Sequence, residues 1–192
     1  MLKIYIADLT HNYVIVSNET MPLGVAYIKA YLKKCLGDEV DCKLFRYPDV
    51  LIKCIKKETP DVLMLSNYVW NEALGYFIIS QAKKHNPSIC TIMGGPNFHL
   101  DREKQEEYLR RHFNLDFYIL GEGEVPSVNI IKTFIDCNLS IERLKKYEIP
   151  SCICIKPDNS FQPLKWQPGL RDLDEIPSPW LSGYLDEFFD GN

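Results

Sequence analysis

The 192-residue sequence lacks several features that mark common classes of protein. It has no basic excess, since 22 lysines and arginines stand against 26 aspartates and glutamates, giving a net charge of -4. Nucleic acid and anionic membrane surfaces are therefore poor partners. No apolar run approaches the roughly 20 residues of a membrane span, and the N-terminal MLKIYIADLTHN lacks the long apolar stretch of a signal peptide. We expect a cytoplasmic protein that binds neither nucleic acid nor membrane.

Signatures of several α/β proteins are also missing. No G-x-G-x-x-G follows the first apolar segment, and the sequence contains no P-loop lysine motif. A response-regulator receiver would need an acidic cluster, but Asp8 stands alone and the third apolar run ends in Ser66 and Asn67. The four histidines allow no assignable Ser/His/Asp set. The sequence therefore excludes dinucleotide, P-loop and receiver domains of the standard kind.

The seven cysteines do not form a disulfide framework, because their number is odd and their spacing scattered. The close pair, Cys152 and Cys154, alternates with isoleucines as in a strand, so both sulfurs should share one face and pack as small apolar groups. This cysteine usage fits a reducing cytoplasm.

What the sequence does contain is a regular alternation of strand and helix signals over residues 1–137. Apolar runs at 3–9, 39–47, 61–67, 88–93 and 116–120 predict five strands. The helices between and after them are expected to begin near Pro22, Asp49, Asn71, Asp101 and Pro126, with Asp49 and Asn71 as helix caps. Five such repeats predict a flavodoxin-like or Rossmann-like doubly wound parallel sheet in the order 2-1-3-4-5. In the third helix we expect an inward face of Leu74, Phe77, Ile78 and Ala82.

The pattern changes after Asn138. Two strands at Cys152–Ile155 and 161–166 flank the turn KPDNS and predict a β-hairpin. The tail beyond it is rich in proline, acids and aromatics, as in a connector. Its apolar side chains either pack back on the domain or contact another domain; they are Trp180, Leu181, Tyr184, Leu185, Phe188 and Phe189. We therefore divide the chain into an α/β domain, 1–138, and a hairpin with linker, 139–192.

Ligands of open parallel sheets bind beyond the carboxyl ends of the strands. The loop after the third strand carries Ser66, Asn67 and Trp70. These residues could offer a ligand small polar groups and a flat apolar face. Alternatively they form a helix cap and one buried aromatic residue. The next loop, GGPNFH, either lets backbone approach a ligand or makes a tight turn, and its His99 is either a metal ligand or a packed or solvated residue.

The loop after the fifth strand is GEGE, from Gly121 to Glu124. Its glycines leave space for a ligand. Its carboxylates either accept hydrogen bonds from that ligand and repel phosphate, or they only mark the start of a helix. Together the three loops predict a broad crevice for a large, neutral, amide-rich ligand. We expect residues 10–21 to form a flap over it.

The ordered segments PLGVAYIKAYLKK, PDVLMLSNYVWN, IMGGPNFH, DFYILGEGEVPS and DEIPSPWLSGYLDEFF resemble the N-terminal half of cobalamin (B12)-binding-domain radical-SAM proteins. The resemblance covers nearly the whole chain. It implies a Rossmann-like domain that holds cobalamin and precedes a radical-SAM barrel. In such an enzyme a methyl group passes from S-adenosylmethionine by way of cobalt to a substrate.

Carried over by position, the resemblance implies a set of cofactor contacts. Those expected along the nucleotide tail or corrin are Ser66, Asn67, Trp70, Gly94, Gly95, Pro96 and Asn97. Those expected on the nucleotide side are Gly121, Glu122 and Gly123, and those at the corrin edge are Leu23 and Gly24.

Two departures from related patterns qualify the resemblance. The D-x-H-x-x-G motif, whose histidine binds cobalt in methionine-synthase-type domains, is not present, because Asp8 is followed by His11 three residues on without the matching glycine. The resemblance therefore implies base-off cobalamin, and it assigns no particular residue as an axial ligand of the cobalt. No C-x3-C-x2-C occurs either, so the 4Fe-4S cluster and S-adenosylmethionine would belong to a radical-SAM domain in cis or in trans. The residues also leave open a ligand-free interaction module and a flavodoxin-like nucleotide-binding domain.

Overall fold

The computed structural model describes residues 1–11 and 21–189. Within them, seven strands form one sheet: β1 (Leu2–Ala7), β2 (Val40–Phe45), β3 (Val62–Ser66), β4 (Cys90–Gly94), β5 (Phe117–Ile119), β6 (Cys152–Ile155) and β7 (Phe161–Gln162). Their order is β2-β1-β3-β4-β5-β6-β7. The first five are parallel, which confirms the doubly wound sheet and the order 2-1-3-4-5.

Helices cover both faces of the sheet, as parallel strands require. They are α1 (Leu23–Leu36), α2 (Pro48–Lys57), α3 (Glu72–His85), α4 (Arg102–Arg111), α5 (Glu124–Asp136) and the short α6 (Ile141–Leu144). On one face α1 and α5 bury Leu32 and Ile131 against strand residues such as Ile6. On the other face α2, α3 and α4 bury Leu51, Ile78 and Leu109.

The predicted hairpin exists, but its strands continue the main sheet. Cys152 of β6 pairs with Ile119 of β5 in an antiparallel register, and β7 adds a further antiparallel strand of two residues. Cys152 and Cys154 are buried as expected, and all seven cysteines are free thiols. The hairpin therefore protects the β5 edge from solvent.

The C-terminal tail divides its apolar residues between the core and the surface. Leu185 is fully buried in the cluster beneath α1 and α5, and Tyr184 and Phe188 pack against that cluster. Leu181 is 92% exposed, and Trp180 and Phe189 are also exposed. Packing on the domain thus holds for Tyr184, Leu185 and Phe188, while contact of the exposed residues with another domain stays a prediction.

Several local expectations were wrong. Asp49 does not cap α2, because the preset backbone angle of Pro48 starts the helix one residue earlier. Asn71 immediately precedes α3 but makes no capping bond into it. Phe77 is 52% exposed, and Ile79 is buried instead. By contrast α4 begins beside Asp101 as expected, and the Asp101 carboxylate caps it by accepting from the Lys104 N–H at 3.0 Å.

A buried ion cluster lies at the amino ends of β4 and β5, at the sheet edge opposite the loops after β3, β4 and β5. Asp116 binds the ammonium groups of Lys83 at 2.5 Å and Lys145 at 2.9 Å. It also accepts from the Thr91 N–H and hydroxyl, each at 3.0 Å. This cluster joins α3, the sheet and the segment after α6. None of the helices in the described ranges is long and apolar enough to cross a membrane.

Candidate functional site

A cavity of about 280 Å³ opens at the carboxyl ends of the central strands. Four neighbouring strands and α1 supply its apolar lining, which includes Ile6, Val25, Ile28, Met64, Ile92 and Ile119. The loops supply its polar lining, which includes Asp8, Ser66, Glu122 and Glu124 together with five glycines. No lysine, arginine or histidine of the described residues lines it.

Glycines give this cavity part of its space. β4 ends at Gly94, and a Cβ on the following Gly95 would lie 2.5 Å from the carbonyl oxygen of Asn67. With φ at +135°, Gly95 makes the close turn that other residues cannot adopt. A Cβ on Gly24, in the first turn of α1, would instead meet no atom of the described residues within 4 Å. Gly24 therefore faces open space in the cavity.

Asn67 holds the loop after β4 against the loop after β3. It is fully buried, and its Nδ2 donates to the Asn97 carbonyl at 2.9 Å and the Tyr118 hydroxyl at 3.1 Å. Its backbone N–H donates to the Gly94 carbonyl at 2.6 Å. Asn97 in turn donates to a carboxylate oxygen of Glu72 at 2.7 Å. These bonds fix the loop geometry and direct both asparagine side chains away from the cavity lining.

Asp8 is a charged residue of the cavity that sequence reasoning missed. Its Oδ1 accepts from the Ser66 hydroxyl at 2.6 Å and, more distantly, from Nδ2 of Asn71 at 3.5 Å. Burial raises the pKa of Asp8, although the Ser66 hydrogen bond and the charge of Arg46 oppose that effect. Its position at the carboxyl end of β1 was the available signal, but the hydrogen-bond partners of its side chain lie 58 residues or more away in the chain.

Two aromatic residues occupy the loop after β3. Tyr68 lines the cavity and stacks on Trp70 with ring centroids 4.6 Å apart. Trp70 itself does not line the cavity and is 60% exposed. Nε2 of His11 lies 2.7 Å from the carbonyl oxygen of Trp70, which ties the loop after β1 to this loop. His99 is exposed and does not line the cavity.

The loop after β5 contacts the segment that follows the hairpin. A Cβ on Gly121 would lie 3.1 Å from the Trp166 ring, and one on Gly169 would lie 2.8 Å from a carboxylate oxygen of Glu122. A second cavity of about 220 Å³ separates the two segments. Residues beyond 138 thus form part of the surroundings of the site.

The structure brings seven of the twelve predicted contact residues to the cavity: Gly24, Ser66, Gly94, Gly95, Gly121, Glu122 and Gly123. It places five outside its lining: Leu23, Asn67, Trp70, Pro96 and Asn97. Besides Asp8, sequence reasoning missed Tyr68 and the apolar strand residues, which the strand pattern marked only as core. Most of the predicted flap, residues 12–20, lies outside the described residues. No group of three or more His, Cys, Asp or Glu in the described ranges could hold a metal ion.

An open parallel sheet with an apolar cavity and glycine-bearing loops at its carboxyl edge defines a cofactor-binding α/β domain. The family described as B12 binding domain matches residues 14–131, more than half of the chain. The chain therefore belongs to the B12-binding domain family, and the resemblance drawn from its sequence is confirmed.

Two curated relatives support this assignment. The chain is 28% identical over 131 residues to 2-(S-pantetheinyl)-carbapenam-3-carboxylate methyltransferase of Streptantibioticus cattleyicolor. It is 25% identical over 127 residues to the cobalamin-dependent radical SAM methyltransferase TokK of Streptomyces tokunonensis. Each match covers 66% of this chain and 17% of the relative. The chain thus matches only a small part of each of these enzymes.

The fold is also found in a solved structure, that of the cobalamin-dependent S-adenosylmethionine radical enzyme OxsB with aqua-cobalamin and S-adenosylmethionine bound. The TM-score is 0.68 at 17% identity, over 98% of this chain and 25% of OxsB. A second OxsB structure, with aqua-cobalamin alone, gives a TM-score of 0.67 at 16% identity, over 98% of this chain and 25% of that one. The likeness extends through the hairpin and tail as well as the five parallel strands.

Proposed function

We propose that this chain binds a base-off cobalamin at the carboxyl edge of its sheet and serves as the cobalamin-binding part of a radical-SAM methyltransferase. The observation that carries the proposal is the cavity of about 280 Å³, formed by β1, β3, β4, β5 and α1 in a member of the B12-binding domain family. When bound, cobalamin supplies a cobalt centre that accepts and passes on a methyl group.

The residues of the cavity fit this cofactor. An apolar cavity of about 150 Å³ is enough to bind benzene, so the larger volume here can receive a fused bicyclic base such as the benzimidazole of the nucleotide tail. Among residues 1–11 and 21–189, no atom lies within 4 Å of the position that a Cβ on Gly24 would take, so this position leaves room beside the cavity. The acidic lining without a described cation disfavours a flavin nucleotide or a dinucleotide, whose phosphates carry about two negative charges, more than it disfavours the cobalamin tail, whose phosphodiester carries one.

The chain contributes binding, orientation and exclusion of water. In this proposal Ser66, Gly94 and Gly95 approach the tail, and Gly121, Glu122 and Gly123 border its nucleotide side. The corrin would rest near Leu23 and Gly24 and over the loops that carry Trp70, Pro96 and Asn97. Asn67 would act indirectly, since its hydrogen bonds hold the Gly94–Gly95 turn in place.

A radical-SAM domain, in the same chain or in a partner, would hold S-adenosylmethionine and the 4Fe-4S cluster. The name of TokK, a cobalamin-dependent radical SAM methyltransferase, supports this arrangement, as does the small share of both relatives' length that this chain matches. We propose 1–138 as the cobalamin-binding unit and 139–192 as the hairpin and linker toward that domain. The exposed Trp180, Leu181 and Phe189 are candidates for its contact surface. Seven free thiols fit a cytoplasmic location, which remains a prediction.

Reconstitution tests the proposal directly. The purified chain is incubated with hydroxocobalamin, desalted, and examined by absorbance, with a parallel sample given flavin mononucleotide. We expect a corrinoid spectrum at about one equivalent and no retained flavin. After reduction to cob(II)alamin, the paramagnetic resonance spectrum should lack the splitting from the axial benzimidazole nitrogen. Retained flavin without corrinoid would contradict the cobalamin assignment, and retained nitrogen splitting would contradict the base-off state.

A further inference from the structure

The hydrogen bonds of Asp8 leave half of its carboxylate available to a ligand. Ser66 and Asn71 both donate to Oδ1, while Oδ2 makes no hydrogen bond to any described residue. The side chain of Asp8 also lines the cavity. Because Ser66 and Asn71 are themselves fixed at the ends of β3 and at the start of α3, the orientation of this carboxylate is set before a ligand arrives.

The charges around Asp8 point to the chemistry of that ligand. Glu122 and Glu124 line the same cavity, and no cationic side chain of the described residues does so. Arg46 is the positive charge that acts on Asp8, but Arg46 lies outside the lining. A ligand group beside Asp8 would thus be favoured as a neutral hydrogen-bond donor and disfavoured as an anion. Primary amides are such donors, and the corrin ring carries several of them at its periphery.

We propose that Asp8 is a specificity-determining residue, which accepts a hydrogen bond from a peripheral primary amide of the corrinoid and rejects the corresponding carboxylate. This inference rests on the proposed function and adds to it a preference for the fully amidated cofactor over its partly hydrolysed forms. A site that hydrogen-bonds a ligand group discriminates strongly against an analogue that cannot make the bond, and juxtaposed like charges add to that discrimination.

The test compares hydroxocobalamin with its regioisomeric monocarboxylates, in each of which one peripheral amide is hydrolysed. Affinities for the full chain are measured by absorbance titration at neutral pH and fixed ionic strength. We expect at least one monocarboxylate to bind at least about tenfold more weakly than hydroxocobalamin. In Asp8→Asn, which keeps the shape and removes the charge, the gap for that isomer should close to about threefold or less.

Asp38→Asn is the matched control, because Asp38 is exposed and does not line the cavity. It should leave the discrimination of the unmodified chain intact. If the unmodified chain binds hydroxocobalamin and every monocarboxylate equally well, the inference is overturned and the proposed function stands. This comparison uses the unmodified chain alone, so it does not require the variant to fold. A gap that persists in Asp8→Asn, or that Asp38→Asn also closes, would likewise overturn it. Failure to bind hydroxocobalamin at all would instead overturn the proposed function.

Discussion

Gly24 allows folding and cofactor binding to be perturbed in opposite directions. It lies in the first turn of α1, lines the cavity, and would place a Cβ where no atom lies within 4 Å in the part of the chain that the structure describes. Glycine is a poor helix residue by up to about 1 kcal/mol relative to alanine, so Gly24→Ala and Gly24→Leu should leave the ligand-free chain as stable as before or slightly more stable. The leucine side chain, however, would occupy part of the about 280 Å³ proposed for the cofactor.

Urea unfolding with and without hydroxocobalamin separates the two effects. At a free concentration of 100 times the dissociation constant, a ligand stabilises the folded chain by about 2.7 kcal/mol. We expect the full stabilisation by cofactor in the unmodified chain and most of it in Gly24→Ala. In Gly24→Leu the cofactor should add less than about 1.4 kcal/mol, which corresponds to at least about tenfold weaker binding. If Gly24→Leu folds normally and keeps the full increment, the cofactor does not occupy this cavity.

Three further predictions concern stability, each measured by urea unfolding of the ligand-free chain. Asp116→Asn should lower the free energy of unfolding by about 3–5 kcal/mol, because it leaves two nearly buried ammonium groups without their carboxylate; a loss below about 1 kcal/mol would contradict this. Leu185→Ala should lower the free energy of unfolding by about 2–5 kcal/mol, because Leu185 is fully buried. Leu181→Ala, at an exposed position, should change it by less than about 0.5 kcal/mol. Equal effects of the two substitutions would place the tail outside the core. Burial raises the pKa of Asp8, so the folded chain binds a proton at this residue more tightly than the unfolded chain does. The free energy of unfolding of the unmodified chain should therefore fall, relative to that of Asp8→Asn, as pH rises from about 4 toward neutrality. A pH-independent difference between those two proteins would refute the direction of the shift.

The parallel sheet could be predicted from the sequence because each strand and helix carries its own local signal. Apolar runs such as VLMLS of β3 are buried on both faces, and this repeated pattern admits few topologies. The loops that form the carboxyl edge follow from that topology without further information. Gly94 and Gly95 were therefore placed at the correct edge, and they line the cavity found there.

The details of the site depend on contacts between distant residues, which a sequence pattern does not encode. Asn67 and Trp70 resembled ligand-facing residues of one loop, yet Asn67 is directed at Tyr118 and Asn97, and Trp70 stacks on Tyr68. Asn71 has the position of a helix cap, but its side chain donates to the carbonyl of Leu9 at 3.2 Å. In each case a neighbour 30 or more residues away, or an adjacent ring, offered the better partner.

The two ends of the sheet affect how the chain can associate. One outer strand, β7, has two residues, and the other, β2, carries the exposed charges of Asp41 and Lys43 between its buried positions. Short strands and charged edges discourage further strand addition from a second molecule. Self-assembly through extended backbone pairing is therefore disfavoured at both flanks, which leaves helices and loops as the surfaces through which other proteins can dock.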